Sequence, residues 1–486
     1  MKRLSVLGAL TLSGCMVGPD YHKPALPVPA AYKIAPGWVA AKPADGAPKG
    51  AWWSVFNDPV LNQLEPQVAV NNASLKADYY AYQQAVEIMQ EERGSLFPSF
   101  GLTSTATRSG EGGGGASATA ASGFARSSGP TTSGTFEGNA SWTVDIWGKI
   151  RRQVQGDVAA AQVSAADLAN ATLSAQAELA SDYVNLRASD AAITLYQQTV
   201  TAYQRSLQIT ENQAAAGTAA PSDVITARTA LEGAQSQLIN AGAARAQYEH
   251  AIAVLIGHAP AELSIPQGGQ IANVPVTPPG VPSTLLERRP DIAAAERAMA
   301  EQNALIGVAV GAYYPSLSLS AMGGYAANPI GGLFDVSNSL WSLGSNVSET
   351  LFAGGSRSAA VAAAGDAYQQ SVQNYRQTVL NAFQGVENDL SNLQIYAQQA
   401  QVQAQAVADA SRAVQIALNQ YQAGTAAYTA VVQAQVILLQ NQQTQLAIQQ
   451  NRLLASVALF QDLGGGFSAS DLPSAATLQA GLPFAP

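Results

Sequence analysis

The sequence of 486 residues contains a single cysteine, which excludes an intrachain disulfide framework. Its three histidines are scattered, so with that one cysteine they offer no His/Cys metal cage. Charge is scarce: Asp, Glu, Lys and Arg make up 12% of the chain, about half the share usual in a soluble protein. Basic charge is scarcest, with 24 Lys and Arg against 33 Asp and Glu, and the net charge of −9 argues against a nucleic-acid partner. No apolar run is long enough for a transmembrane helix; the best candidate, Ala304 to Tyr314, is too short and follows Glu301 and Gln302. If this chain crosses a membrane, it must do so with β-strands. Catalytic signatures are missing too: no Gly-x-x-x-x-Gly-Lys-Ser/Thr, His-Glu-x-x-His or Gly-x-Ser-x-Gly string occurs. Glu91-Glu92 reads more simply as a polar stretch near a helix end than as a catalytic pair, so no enzyme activity, metal or cofactor is expected. Ala, Gln, Ser, Thr and Asn fill the space, and mean hydropathy is close to neutral at +0.04.

The N-terminus reads as an export signal, residues 1–14. Lys2 and Arg3 form a basic start, Leu4 to Leu12 an apolar stretch too short to span a bilayer, and Ser13 and Gly14 the small residues of a cleavage site. Leu12-Ser13-Gly14-Cys15 resembles the bacterial lipobox, in which the cysteine is lipidated and becomes the first mature residue. Cys15 is therefore the expected acceptor of a covalent lipid, which tethers a chain without making it span. Met16 follows, rather than the Asp associated with inner-membrane retention, so the outer membrane is the expected location.

The chain also repeats itself. Leu96-Phe97-Pro98-Ser99-Phe100-Gly101-Leu102 is matched by Tyr313-Tyr314-Pro315-Ser316-Leu317-Ser318-Leu319. Ile146-Trp147-Gly148-Lys149 is matched by Leu351-Phe352-Ala353-Gly354, and Ala216-Gly217-Thr218-Ala219-Ala220 by Ala423-Gly424-Thr425-Ala426-Ala427. The order is the same in both halves, so two copies of one unit are expected: helix, two strands, long helix, tight turn, return helix. Residues 135–146 alternate, with Phe136, Gly138, Ala140, Trp142, Val144 and Ile146 on one face; residues 316–325 do the same with Leu317, Leu319, Ala321 and Tyr325. Residues 99–107 and 340–352 are weaker partners, and 109–133 and 326–338 read as exposed flexible loops. Strands of this length, with one apolar face and aromatics near their ends, suit a membrane barrel with a wet lumen, although a soluble sandwich would alternate likewise. Four strands are too few to close a barrel, so several chains must contribute. Residues 149–216 and 356–422 read as unbroken helices about 100 Å long. In the second, Val372, Val379, Val386, Leu393, Ala400, Val407, Val414 and Tyr421 recur every seven residues, which implies a left-handed supercoil. Phe383, Leu390, Ala397, Ala404, Ser411 and Leu418 form a second seam, as expected for a helix with neighbours on both sides. Return helices are expected over 221–256 and 428–463.

Taken together, these features resemble the TolC-like outer membrane factor family, in its lipoprotein branch. The matching strings are Val17-Gly18-Pro19-Asp20-Tyr21 after Cys15, Trp52-Trp53 with Asp58-Pro59, Leu285-Leu286-Glu287-Arg288-Arg289-Pro290-Asp291-Ile292, and Leu463-Gly464-Gly465-Gly466. The resemblance implies a mixed fold, a membrane β-barrel on a long α-helical coiled-coil barrel. It implies a homotrimer with four strands per chain in a twelve-stranded barrel, and a twelve-helix periplasmic tunnel. The chain would divide into a signal (1–14), an anchor and equatorial segment (15–58), a first repeat (59–257), a Pro-rich connector (258–290), a second repeat (291–463) and an equatorial tail (464–486). The implied function is a passive exit duct of a tripartite efflux pump, carrying drugs or other toxic small molecules from a periplasmic adaptor (membrane fusion) protein and an inner-membrane pump of the RND type. The periplasmic aperture would be built by Asp223, Thr226, Arg228, Tyr428 and Gln433, and the adaptor would meet hairpin tips at Gly217, Thr218, Gly424 and Thr425. Ala430 and Gln433 stand where relatives often carry acids, so the second acidic ring is expected to be absent. A type I protein secretion duct and a coiled-coil structural lipoprotein without a pore remain as alternatives.

Overall fold

The computed structural model describes residues 16–25, 51–110, 130–275 and 288–480. The export signal, Cys15, the glycine run 112–115 and residues 285–287 lie outside the described residues. Helix α1 (Pro59–Asn71) is opened by Asp58, whose carboxylate accepts from the Val60 and Leu61 amides at 2.9 and 3.1 Å, with Pro59 at the first position. Asn72 does the same for α2 (Ala73–Gly94). Strands β1 (Ser99–Ser109) and β2 (Thr131–Val144) follow, then the 67-residue α3 (Lys149–Ala215) and α4 (Pro221–Leu255). The second half holds α5 (Pro290–Gly311), β3 (Ser316–Ala327), β4 (Ser339–Ser348), the 67-residue α6 (Ser356–Gln422) and α7 (Tyr428–Asp462), with a short α8 (Ala475–Gln479) in the tail. Pro290 starts α5 because it denies helix to Arg289, which stays extended at φ −101°, ψ 125°.

The helices lie side by side. Next to the sheet the row runs α2, α3, α5, α6; beyond the middle of α3 and α6 it runs α4, α3, α7, α6. Along α6 the seven-residue seam is largely buried: Val372, Val379, Val386, Leu393, Val414 and Tyr421 are inside, and Ala400 and Val407 half-buried. The second seam differs. Leu390 is buried, but Ala404 and Ser411 are exposed, because none of the described residues lies on that side of the lower half of α6.

The four strands form one antiparallel sheet in the order β1-β2-β3-β4. Their register joins Phe100 to Ala140 to Ala321 to Leu343, and Leu102 to Gly138 to Gly323 to Trp341. One face is therefore apolar across its whole width, while Thr103, Glu137, Ser318, Asn346 and their neighbours share the other. Strand bounds depart from the sequence expectation. β2 begins at Thr131, four residues before the expected start at Thr135 and within the expected loop, because Ser109 to Thr105 pair with Thr131 to Thr135. It ends at Val144 rather than Ile146, because the Asp145 carboxylate accepts from the amides of Ile150 and Arg151, both at 3.0 Å, and turns the chain into α3. β4 ends at Ser348, short of Phe352, ahead of two glycines of positive φ, Gly354 and Gly355. The β3–β4 connection, expected as a flexible loop, is folded: Asn338 Nδ2 donates to the Gly332 carbonyl at 2.7 Å, and the Asp335 amide to the same carbonyl at 2.8 Å.

The largest core lies at mid-height. Trp52, Trp53 and Phe56 pack with Leu61, Leu173, Tyr183, Leu186, Ile252 and Leu453, and Trp52 stacks on Phe460 at 5.7 Å.

Candidate functional site

Each hairpin tip, at the end of the helices remote from the sheet, is made by a glycine. Gly217 and Gly424 have φ of +77° and +74°, the left-handed region that ends a helix. A Cβ at either would meet nothing within 4 Å, so only backbone conformation requires glycine there. Thr218 and Thr425 then fold back identically, each donating its hydroxyl to a carbonyl five residues earlier, Gln213 and Gln420, at 3.0 Å. The four tip residues are exposed, and their backbone is tied down.

The five other expected site residues lie in the opening turns of α4 and α7. Asp223 sits in the first turn of α4, partly exposed, with no ion-pair partner among the described residues. A carboxylate there also suits the helix dipole. Thr226 Oγ1 donates to the Ser222 carbonyl at 2.9 Å. Arg228 is exposed and reaches Glu211 on α3 at 3.5 Å. Gln433 is exposed on α7. Tyr428 is 2% exposed: its ring packs on Tyr421 at 5.1 Å, within a core built with Val414, Ala417, Val431 and Ala227. Burial pushes its phenol up, and hydrogen bonds with Thr210 and Ser206 of α3 offset part of that. A tyrosine so placed joins the two hairpins and does not face an opening within the chain.

Three buried charge clusters escaped the sequence. On α3 and α4, Asp190 is fully buried and accepts from Arg245 at 2.7 Å, Arg187 at 3.1 Å and the Gly268 amide at 3.0 Å. Glu249 completes this cluster by accepting from Arg245 and the Ile265 amide, so the strap after α4 is latched to both arms of the hairpin. At the start of α5, Arg289 forks onto Asp291 and also donates to the carboxylate and carbonyl of Asp462, each at 2.9 Å. Asp462 meets Asp389 of α6, where a side chain on Gly385 would collide with Asp462. Burial first, and then Asp462, push the Asp389 carboxyl up to about 7. At the sheet end of α3, Arg152 is 1% exposed and donates to the carbonyls of Val17 and Gly18 and to Asp20 at 2.9 Å. Asn303 donates to the Pro19 carbonyl, and Tyr21 donates to Glu296 at 2.5 Å. A side chain on Gly18, at φ +92°, would collide with Gly307. A further carboxyl adds to this: Glu65 of α1 is fully buried with no hydrogen-bond partner among the described residues, and burial pushes it up to about 9.

Among the described residues, no group of three or more His, Cys, Asp or Glu is disposed to hold a metal ion, and no helix is long and apolar enough to cross a membrane.

Comparisons with known proteins agree with this architecture. The family model described as "Outer membrane efflux protein" matches residues 64–258 and 281–465. The toluene efflux pump outer membrane protein TtgC of Pseudomonas putida is 30% identical over 363 residues, covering 73% of this chain and 72% of the relative. The cation efflux system protein CusC of Escherichia coli is 27% identical over 379 residues, covering 77% and 79%. Among solved structures, the outer-membrane channel OprN superposes with a TM-score of 0.81 at 28% identity, over 93% of this chain and 99% of that one.

Proposed function

The chain belongs to the outer membrane efflux protein family and acts as an outer-membrane channel of an efflux system; on that premise we propose that three copies form a passive exit duct. The observation that carries the proposal is the open sheet. Among the described residues β1 and β4 leave both edges unpaired, while one apolar face runs across all four strands. Unpaired edges call for partners. Three copies of four strands give a twelve-stranded barrel, with the apolar face in lipid and the polar face toward water. The exposed second seam of α6 supports the same assembly at the level of the helices: a neighbouring copy would cover Ala404 and Ser411 and extend the row into a twelve-helix tunnel. Equal lengths support the internal duplication: α3 and α6 each have 67 residues, α4 and α7 each 35.

In this reading Cys15 carries the lipid. Met16 supports it, because it packs against Gly148 at the junction of β2 and α3, the helix-side rim of the sheet. Gly217, Thr218, Gly424 and Thr425 meet the periplasmic adaptor, which hands on cargo from an RND-type inner-membrane pump. Asp223 borders the mouth, with Arg228, Thr226 and Gln433 beside it, and Tyr428 acts from behind by packing. The cargoes named for relatives, toluene for one and cations for another, support small toxic solutes as the exported class.

Detergent-extracted protein tests this by its mass and by planar-bilayer conductance. A trimer with a small cation-selective conductance is expected, larger or less selective in Asp223→Ala. A monomer without conductance in any preparation sinks the duct. A conducting trimer indifferent to Asp223→Ala removes Asp223 from the mouth and leaves the duct standing.

A further inference from the structure

The sheet has two buried residues, Gly134 at the start of β2 and Ala327 at the end of β3; every other strand residue is half-buried or exposed. The pair are cross-strand partners on the apolar face, at the end remote from the helices. They are buried by the β3–β4 connection, which folds back over that face. The Ile330 amide donates to the Thr132 carbonyl at 2.7 Å, and a Cβ on Gly134 would fall 2.7 Å from the Ile330 side chain. Phe334 then packs edge-on against Phe136 at 5.5 Å and Tyr325 at 5.7 Å, two residues of the same face. The outer side of this fold-back is itself apolar: Phe334 is 64% and Val336 84% exposed. Asp335 is the one charge between residues 328 and 338; its carboxylate lies beside Gly332 and stays exposed.

We propose that residues 328–338 form a flap seated in the membrane, extending the lipid-facing side of β2 and β3 outward, with Phe334 and Val336 among the acyl chains of the outer leaflet. The inference rests on the reading that the apolar face of the sheet meets lipid. Continuity names the occupant, because the flap lies on the same face as Phe100, Ala140, Leu319 and Leu343 and adds apolar surface to it. A second copy is disfavoured as occupant, since the flap covers the two central strands and the edges open to pairing are β1 and β4. The polar face on the other side of the sheet stays free of it.

Nitroxide labels on the full-length protein in liposomes test the flap, read by collision with oxygen, which concentrates in lipid, and with a water-soluble nickel chelate. Val336→Cys carries the test, Leu343→Cys reports the apolar face and Asn346→Cys the polar face. Labels at 336 and 343 are expected to collide mainly with oxygen, and the label at 346 with nickel. Oxygen at 343 but nickel at 336 overturns the flap and leaves the barrel reading intact. Nickel at 343 overturns both. Protection from both reagents at 336 means that protein covers the flap, and this also overturns the proposal. Phe334→Trp gives an independent reading: quenching by bromine on lipid acyl chains should exceed that of the six native tryptophans alone, and an unchanged signal counts against the flap.

Discussion

Asp462 brings its carboxyl both to the Arg289 guanidinium, whose fork is already shared with Asp291, and to the buried carboxyl of Asp389. With Asp389 pushed up to about 7, the folded chain keeps a proton on the pair that the unfolded chain releases near the ordinary aspartate value. The contribution of Asp389 to stability therefore falls as pH rises from about 4 to about 7 and levels off above. Asp389→Asn retains the shape, and its amide can donate to Asp462 as the protonated acid does. Glu65, pushed up to about 9, still titrates in both proteins, so the variant's apparent unfolding temperature should fall across that window by a few degrees less than the wild type's, leaving the variant the more stable at about pH 8. Scanning calorimetry at several pH values checks this, and parallel curves for the two proteins would refute it. None of this was legible in the sequence, where Arg289 and Asp462 stand 173 positions apart and Asp190 and Arg245 stand 55 apart. What the sequence did carry was the local half of the cluster: Pro290 and Asp291 as a helix start.

At the scale of the element, the hairpins follow from period and punctuation. The sevenfold recurrence of Val372 to Tyr421 and the glycine stops at 217 and 424 were readable because helix periodicity and positive φ are properties of a local string. The second seam and Tyr428 were not fully readable, because burial there depends on which other element arrives. α3 covers Tyr428, and none of the described residues covers Ala404. The strand that begins at Thr131 was hidden for a similar reason: its Ser, Thr and Gly residues look like loop until β1 supplies the register. The glycines give a paired expectation. Gly424→Ala forces an L-residue into the left-handed region with open space around it, costing roughly 1 kcal/mol. Gly365→Ala inside α6, also in open space, should gain about as much. Hydrogen exchange at the second hairpin tip should quicken in the first variant and slow or stay level in the second; the reverse order would mean that the tip conformation differs from a glycine-stopped helix.

At the scale of the molecule, the sheet is a strip with chemically opposite sides and two open edges. A charge should therefore be judged by the side it lands on. Leu343→Arg puts a cation on the apolar face and should cost about 2–4 kcal/mol in a bilayer, lowering the amount of folded protein recovered from outer membranes. Asn346→Arg, three residues along on the polar face, should be recovered near wild-type level and alter ion selectivity instead. Equal recovery of the two would count against a two-sided sheet in a membrane. The alternation that defines these sides was plain in the sequence, whereas the flap over Gly134 and Ala327 was not, since it depends on a loop meeting a strand almost two hundred residues before it.

The segment Met16–Tyr21 adds a consequence in time. Its carbonyls and side chains are held by Arg152, Glu296 and Asn303, and Gly18 lies against Gly307. These residues thus have docking partners up to 284 positions further along the chain. While the chain is being made this strip must wait undocked until both α3 and α5 are present, and its seating ties it across the boundary between the two halves. Growth of the chain and completion of its fold are therefore separate events, and the second has its own late signal: packing of Tyr21 against Glu296 and Arg297.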